Sequence, residues 1–430
     1  MKAVILAGGK GTRLGLSDLP KPMVPLAGKP LLEWQIRLLA RYDIREIFLL
    51  TGFLAEKIEA YFGNGSAWGV RLHHVREETP LGTAGALRQL ADRLDERFLV
   101  LYGDVVMDLD FDVLLSFDAQ ADSIGTLLVH PNDHPYDSDL VETGPDDRVT
   151  RFLSKPHPTR LRYRNLVNAA VYVLSPEVFR FIEPGVSSDF GKDIFPKILA
   201  KGGTLRAYAS PEYVKDLGTP DRLARVERDW QSGKIARLNR RNPRPAVFLD
   251  RDGVLNREVD HLRRADDLDL LPGVAGAVKR LNQSDYLSVV VTNQPGLAKG
   301  FFTETDLEEI HRELETQLGA ERAYLDAIYH CPHHPEAGFE GEVPALKIAC
   351  DCRKPGTGLV ERALHELNID RSRSFFVGDS TTDLLTGRNA GLRTVLVRTG
   401  YGGQDGRFEV EPDFVADDLA GAVDFILNGE

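Results

Sequence analysis

The 430-residue sequence predicts an α/β protein of two doubly wound, Rossmann-like domains, and three observations predict it. Short apolar runs alternate with amphipathic stretches along the whole chain, the pattern of βα units. The alternation pauses at a basic, proline-bearing stretch, residues 233–245, and then restarts. In both halves the apolar runs end on polar residues able to handle phosphate, and the carboxyl ends of strands are where open α/β sheets bind ligands.

The elements follow in order. Ala3–Ala7 reads as a buried strand, Pro30–Ala40 as a helix, Glu46–Thr51 as the next strand, and Phe98–Tyr102 as a strand delivering Asp104 at its end. Pro220–Gln231 is charged and amphipathic. The stretch 233–245, with Lys234, Arg237, Arg240, Arg241 and Arg244, reads as a solvated linker. The expected domains are therefore 1–232 and 246–430. In the second, Ala246–Leu249 leads to Asp250, Leu287–Val291 to Thr292-Asn293, and Ser374–Val377 to Gly378-Asp379. A helix over Thr303–Leu318 opens on Thr303 and Asp306 at capping-box-like spacing.

Bulk properties narrow the function. A composition of 42% apolar and 27% charged residues is that of an ordinary globular protein. A net charge of −12 argues against a broad nucleic-acid or anionic-membrane surface, so polyphosphates must be met by local clusters. No apolar run reaches membrane-spanning length, and the opening residues 1–8 are too short for a signal peptide. With free thiols suited to a reducing compartment, a cytoplasmic protein with small-molecule partners is expected. Neither nucleic acid nor membrane is expected as a partner, and self-association is left open.

The N-terminal loop Gly8-Gly9-Lys10-Gly11-Thr12-Arg13 can turn backbone N–H groups toward phosphate. It is not a dinucleotide fingerprint, because Leu14 stands where the third glycine belongs, nor a P-loop, because no Gly-Lys-Ser/Thr follows four spacers. Together with Lys21-Pro22-Met23, Pro80-Leu81-Gly82-Thr83-Ala84-Gly85, Tyr102-Gly103-Asp104, Ser154-Lys155-Pro156, Asn168-Ala169-Ala170 and Asp216-Leu217-Gly218-Thr219-Pro220, it resembles the sugar-1-phosphate nucleotidyltransferases over residues 1–230. The resemblance implies roles. Arg13 and Lys21 would offset phosphate charge, and Asp104 and Asp216 would hold Mg²⁺. Gly8, Gly9, Gly11 and Thr12 would cradle phosphates, and Gly82 and Thr83 would lie against the base. Lys155 and Asn168 would meet the sugar phosphate. Ser154 departs from the acidic residue many relatives carry there.

The C-terminal half opens on Asp250-Arg251-Asp252-Gly253-Val254-Leu255-Asn256, two carboxylates two residues apart at a strand end. One can attack phosphorus while the other protonates the leaving oxygen. With Thr292-Asn293, Lys354 and Gly378-Asp379-Ser380-Thr381-Thr382-Asp383 following in order, residues 246–400 resemble the haloacid dehalogenase superfamily. By that resemblance Asp250 is the nucleophile and Asp252 the acid/base. Asn256, Thr292, Asn293, Arg353 and Lys354 would cradle the phosphoryl group. Asp379, Asp250 and the backbone carbonyl of Asp252 would hold Mg²⁺, with Asp383 orienting Lys354.

The three cysteines, Cys331, Cys350 and Cys352, cluster with His333. An odd, clustered set suits one structural zinc ion better than disulfides, and closing such a loop contributes about 10–16 kcal/mol in zinc-finger peptides. His330 and His334 read as spares, either solvated or packed behind the metal ligands. The Cys-x-His and Cys-x-Cys-Arg-Lys-Pro arrangement, with eighteen residues between Cys331 and Cys350, resembles the heptose 1,7-bisphosphate phosphatases more than the histidinol-phosphate phosphatases. Pro295 stands where the former usually carry serine. A phosphatase of that kind makes the heptose 1-phosphate that a sugar-1-phosphate nucleotidyltransferase uses. The two resemblances thus imply a bifunctional enzyme using heptose bisphosphate and an NTP. GTP is the expected nucleotide, from the likeness of Pro80–Gly85 to the heptose and mannose 1-phosphate guanylyltransferases, with ATP the alternative. The rival readings are a silent nucleotidyltransferase-like module and a phosphatase for another sugar phosphate or histidinol phosphate.

Overall fold

The structure, a computed structural model, describes residues 1–9, 11 and 18–429. The described chain divides into two compact units. The first comprises Met1–His130, Asp137–His157 and Leu166–Asn239, and the second Pro131–Tyr136, Pro158–Asn165 and Arg240–Glu430. Among the described residues no helix is long and apolar enough to cross a membrane.

The first unit is built on a nine-stranded mixed sheet. From one edge inward Arg71–Arg76, Glu46–Thr51, Lys2–Ala7 and Phe98–Tyr102 run parallel in that spatial order. The last three of these runs are nearly continuously apolar because both faces are covered, while Arg71–Arg76 is polar and partly exposed. Ala3 and Ile5 enter one core with Leu32, Ile36 and Leu39 of helix Leu31–Arg41, while Val4 enters the other with Phe48, Leu87 and Leu90. Beyond Phe98–Tyr102 the sheet turns antiparallel through Val167–Leu174. A separate ladder pairs Val105–Asp108 with Tyr213–Asp216, with Val105 opposite Asp216. That register brings the Asp104 and Asp216 ends together. The stretch after Gln231 carries a helical turn, Lys234–Arg237, and Ile235 and Leu238 pack beside Trp34 and Trp230.

The second unit holds a six-stranded, wholly parallel sheet in the order Ala327–Cys331, Leu287–Asn293, Ala246–Leu249, Phe375–Gly378, Arg393–Val397, Phe414–Ala416. Its three central strands are those that carry Thr292, Asp250 and Asp379 at their carboxyl ends. Helix Glu304–Ala320 opens with a reciprocal capping box between Thr303 and Asp306. It buries Leu307, Ile310, Leu314 and Leu318, and with them the polar His311 and Glu315.

Residues 158–165 lie along this helix as a strap. Tyr163 N donates to Thr316 Oγ1 at 3.1 Å and Arg162 Nε to Glu313 Oε2 at 2.7 Å. Asn165 and Asn132 of the unit's other short segment exchange two hydrogen bonds, of 3.1 and 2.8 Å. The strap explains a glycine in the last turn of the helix. A Cβ at Gly319 would collide with the Tyr163 hydroxyl and press on Pro135. A helical glycine costs about 1 kcal/mol relative to alanine, and here it admits the ring of a buried tyrosine.

Candidate active sites

The site in the first unit is a cleft of about 360 Å³ at the carboxyl ends of the parallel strands. It is lined by Gly8, Gly9, Lys21, Gly82, Thr83 and Asp104, with Leu6, Leu50, Pro80, Ala86 and Tyr102 as its apolar walls. Lys21 Nζ is ion-paired with Asp104. Asp216 is gripped by Arg222, whose guanidinium lies 2.7 and 2.6 Å from its two oxygens. Asp137 links that pair to Lys155, with its carboxylate 3.9 Å from Arg222 and 3.8 Å from Lys155 Nζ. Thr83 Oγ1 donates to Asp189 Oδ2 at 2.8 Å and accepts from Phe190 N at 3.0 Å, so its hydroxyl fixes the cleft wall.

Asn168 donates to the Tyr172 hydroxyl at 3.0 Å and does not line this cleft. Gly11 is described but is not part of the lining. Arg13 and Thr12, expected to meet phosphate, lie outside the described residues. Sequence reasoning passed over Arg222 and Glu77. Glu77 lines the cleft, where burial pushes its carboxyl up against the lowering effect of the Leu81 N–H. The acidic pair Glu77-Glu78 just before Pro80 was its only sequence signal. Asp104, in the turn just before strand Val105–Asp108, and Asp216, at the end of its partner strand, are each balanced by one cation and are a donor set of the hard oxygen type that suits Mg²⁺.

The site in the second unit is a polar cleft of about 290 Å³. It gathers Asp250, Asp252, Thr292, Asn293, Arg353 and Lys354 from three separate stretches of chain. Lys354 is buried, with Nζ 2.8 Å from Asp250 Oδ1 and 2.6 Å from Asp383 Oδ1. Burial works against its charge, but the two carboxylates outweigh that and hold the ammonium protonated. Asn293 receives the Lys354 N–H at 2.9 Å and donates to its carbonyl at 3.2 Å, fixing the backbone that carries the lysine.

Asp252 is held from three sides. Arg251, itself wholly buried, spans both of its oxygens at 3.0 and 2.8 Å, Gln294 donates at 3.0 Å and Asn256 at 2.9 Å. Burial opposes ionisation, yet Arg251 and these donors hold its carboxyl below the usual range. Asn256 was expected to touch phosphate. It is instead fully buried beneath the cleft, because the loop turns back after Gly253 and aims its amide at Asp252.

Asp250, Asp379 and Asp383 bring ligand atoms within 4.8 Å of one another. Burial, then the neighbouring carboxylates, push the carboxyls of Asp250 and Asp379 up, with Lys354 opposing. Such crowding favours a cation. Asp379 sits where Gly253 and Gly400, both at positive φ, leave room that a Cβ at either would fill. Asp383 points one oxygen at Lys354 and the other at the Ser380 N–H and hydroxyl, at 3.2 and 2.6 Å. Asp379 and Asp250, with the carbonyl of Asp252 two residues after Asp250, fit a magnesium site.

Beside this cleft Cys331, His333, Cys350 and Cys352 converge, with sulfur–sulfur distances of 3.1, 3.2 and 3.6 Å and His333 Nδ1 3.3 Å from Cys352 Sγ. No pair is disulfide-bonded. Tetrahedral zinc with bonds of about 2.3 Å to sulfur gives edges near ~3.8 Å, so the donor set fits zinc with slight expansion. Arg353, next in sequence to Cys352, donates to the His333 carbonyl at 3.2 Å. Of the two alternatives for His334, the solvated one is excluded. This residue is 8% exposed and lines the cleft of the second unit, because its ring packs edge-on against Phe339. His330 is paired with Glu304 at 3.3 Å.

Each cleft sets a lysine against an aspartate, part-exposed Lys21 against Asp104 in the first and buried Lys354 against Asp250 in the second, the equipment of a phosphate-transfer enzyme. The family model for nucleotidyl transferases matches residues 2–233, and that for HAD-hydrolase-like proteins matches residues 351–422. The D-glycero-D-manno-heptose-1,7-bisphosphate 7-phosphatase of Thermosynechococcus vestitus is 42% identical over 191 residues, 43% of this chain and 96% of that protein. Among solved structures, the D,D-heptose 1,7-bisphosphate phosphatase of B. bronchiseptica, complexed with magnesium and phosphate, is 34% identical over 43% of this chain and 99% of its own, with a TM-score of 0.38. HddC of Yersinia pseudotuberculosis, complexed with GMP-PN, is 26% identical over 53% of this chain and 99% of its own, with a TM-score of 0.46. The chain belongs to the nucleotidyl transferase family through residues 2–233 and, over the 191 residues shared with the T. vestitus protein, to the family of heptose-1,7-bisphosphate 7-phosphatases.

Proposed function

We propose that this enzyme makes a nucleotide-activated heptose in two steps, dephosphorylation in the second unit and nucleotidyl transfer in the first. The observation that carries the reading is the presence, on a chain with a nucleotidyl transferase fold, of a region 42% identical to a heptose bisphosphate phosphatase across 96% of that protein. The product of one chemistry is a substrate of the other.

In the first step Asp250 attacks the phosphorus of the 7-phosphate. The bond from phosphorus to the sugar O7 breaks, and a proton from Asp252 goes to that oxygen. In the free chain Arg251 holds Asp252 ionised, and an entering phosphate dianion raises its proton affinity. Water then attacks the aspartyl phosphate, gives its proton to Asp252 and releases inorganic phosphate. Lys354, Thr292 and Arg353 offset phosphoryl charge. In the second step a phosphate oxygen of heptose 1-phosphate attacks the α-phosphorus of the NTP, and the bond to the β-phosphate breaks to release pyrophosphate. Lys21 and Arg13 offset the charge that builds there, Gly82 and Thr83 shape the base side, and Lys155 serves the sugar phosphate.

Magnesium, held by Asp104 and Asp216 in the first unit and by Asp250, Asp379 and the Asp252 carbonyl in the second, would supply further neutralisation of phosphate charge. Zinc on the three cysteines and His333 would be structural. The nucleotide is GTP in this reading.

The test is one reaction holding the protein, Mg²⁺, both anomers of heptose 1,7-bisphosphate, and equal GTP, ATP, CTP and UTP, followed by mass spectrometry. GDP-heptose with phosphate and pyrophosphate is expected. Heptose 1-phosphate without any nucleotide sugar would sink the nucleotidyltransferase assignment.

A further inference from the structure

We propose that Arg164, in the strap of the second unit, is a positioning residue for Asp252, acting through Glu315, His311 and Arg251. This rests on the reading of Asp252 as the phosphatase acid/base. The starting point is that Asp252 has no freedom of its own, since Arg251 spans both its oxygens. Arg251 is wholly buried, and its remaining NH1 faces His311 Nε2 at 3.4 Å. His311 lies on helix Glu304–Ala320 and is 2% exposed.

Four residues further along the same helix face comes Glu315, a carboxylate only 5% exposed. Residues i and i+4 on a helix are stacked neighbours, so the buried face presents His311 and Glu315 side by side toward the Asp252 loop and the strap. A buried carboxylate left without a partner is strongly destabilising. Glu315 is matched by the strap. Arg164 Nε is bonded to it, Asn165 N donates to it at 3.3 Å, and Arg164 NH1 ties in Glu308 at 3.0 Å.

Without Arg164 the charge on Glu315 would be drawn toward Arg251, the buried cation one turn away past His311. Any such shift loosens the fork that aims Asp252. Arg162 in the same strap is a built-in contrast, since its partners Glu313 and Asp266 lie off that face.

The test uses the full chain and two phosphate esters, heptose 1,7-bisphosphate and 4-nitrophenyl phosphate. The second has a leaving group that departs without a proton, so its kcat/KM does not sense how the acid is aimed. Arg164→Ala is expected to lower kcat/KM about tenfold on the sugar phosphate and less than twofold on the nitrophenyl ester. Arg162→Ala is expected to change both less than twofold. Removing the buried charge as well, in Arg164→Ala/Glu315→Gln, is expected to restore the sugar phosphate value to within threefold of wild type. If Arg164→Ala does not fold, Arg164→Lys is expected to show the same selectivity at about threefold.

Equal losses on both esters, no loss, or no recovery in the double variant would overturn the proposal. Asp252→Asn separates the two readings. Full activity of that variant on the sugar phosphate removes the acid/base assignment and the proposal with it. Loss in Asp252→Asn with an unaffected Arg164→Ala removes the proposal alone.

Discussion

Asp383 holds Lys354 at 2.6 Å through one carboxylate oxygen while its other oxygen caps the helix Thr381–Asn389. One side chain thus fixes the start of a helix and the position of the lysine that faces Asp250. Replacing Asp383 by Asn keeps a cap acceptor and removes the charge partner. The expected result is a 10–100-fold loss of phosphatase kcat with a modest fall in Tm. Asp383→Ala loses the cap too, which costs about 0.5–2 kcal/mol more, so its calorimetric transition should fall a few degrees further.

The two chemistries should separate by mutation. Asp250→Asn removes the nucleophile and is expected to reduce phosphate release at least ~10³-fold, while pyrophosphate release from heptose 1-phosphate and NTP supplied directly stays within twofold. Lys21→Ala should do the converse, lowering nucleotidyl transfer about 10²–10³-fold, as for loss of one charge-stabilising group, with phosphate release intact. Assaying each variant for both products checks the pair.

Metal loss from the Cys331–Cys352 cluster should disable the phosphatase through structure. Burial, then the neighbouring thiols, push the Cys331 thiol up, so a metal must displace protons that the empty cluster holds at neutral pH. Retention of zinc therefore weakens as pH falls. Chelator titrations at pH 8 and pH 6 with a zinc dye should show release at lower chelator concentration at pH 6. Cys352→Ser should release zinc at both values and lose phosphate release before nucleotidyl transfer.

Acid should weaken the first unit through Glu33. Burial raises the proton affinity of this carboxyl, but hydrogen bonds from Arg37, Tyr61 and Lys29 outweigh it and hold it at about 2 against an ordinary 4.5. A depressed carboxyl gives stability that is complete above its unfolded value and is lost as pH falls through the folded one. Glu33→Gln should lower Tm at pH 7 and flatten the decline of Tm between pH 4.5 and 2, as followed by calorimetry.

Much of this architecture is legible in the sequence where chemistry is local. Strands Glu46–Thr51, Phe98–Tyr102 and Ala246–Leu249 fall where their apolar runs fall, because strands buried on both faces need continuous runs. Asp250, Thr292 and Asp379 stand at strand ends that the parallel order makes neighbours. What escaped were partners chosen by the fold. Arg222 on Asp216 and Arg251 on Asp252 are ordinary arginines in one dimension, and Asn256 read as a phosphate ligand until the loop's return buried it. For His334 the solvated and the packed alternatives both stay open, because nothing nearby in sequence shows that Phe339 will cover it. The antiparallel edge of the first sheet was also hidden, since a strand's direction is set by where its connection crosses.

Gly319 gives one residue two opposite meanings. In a phosphatase that lacks residues 131–136 and 158–165, alanine at this position would raise helix stability by about 1 kcal/mol. In this chain the same alanine would strike the Tyr163 hydroxyl and unseat the strap. A consensus drawn from strap-less phosphatases would therefore mislead an engineer here, and the sign of one methyl group would report whether a given homologue wears the strap.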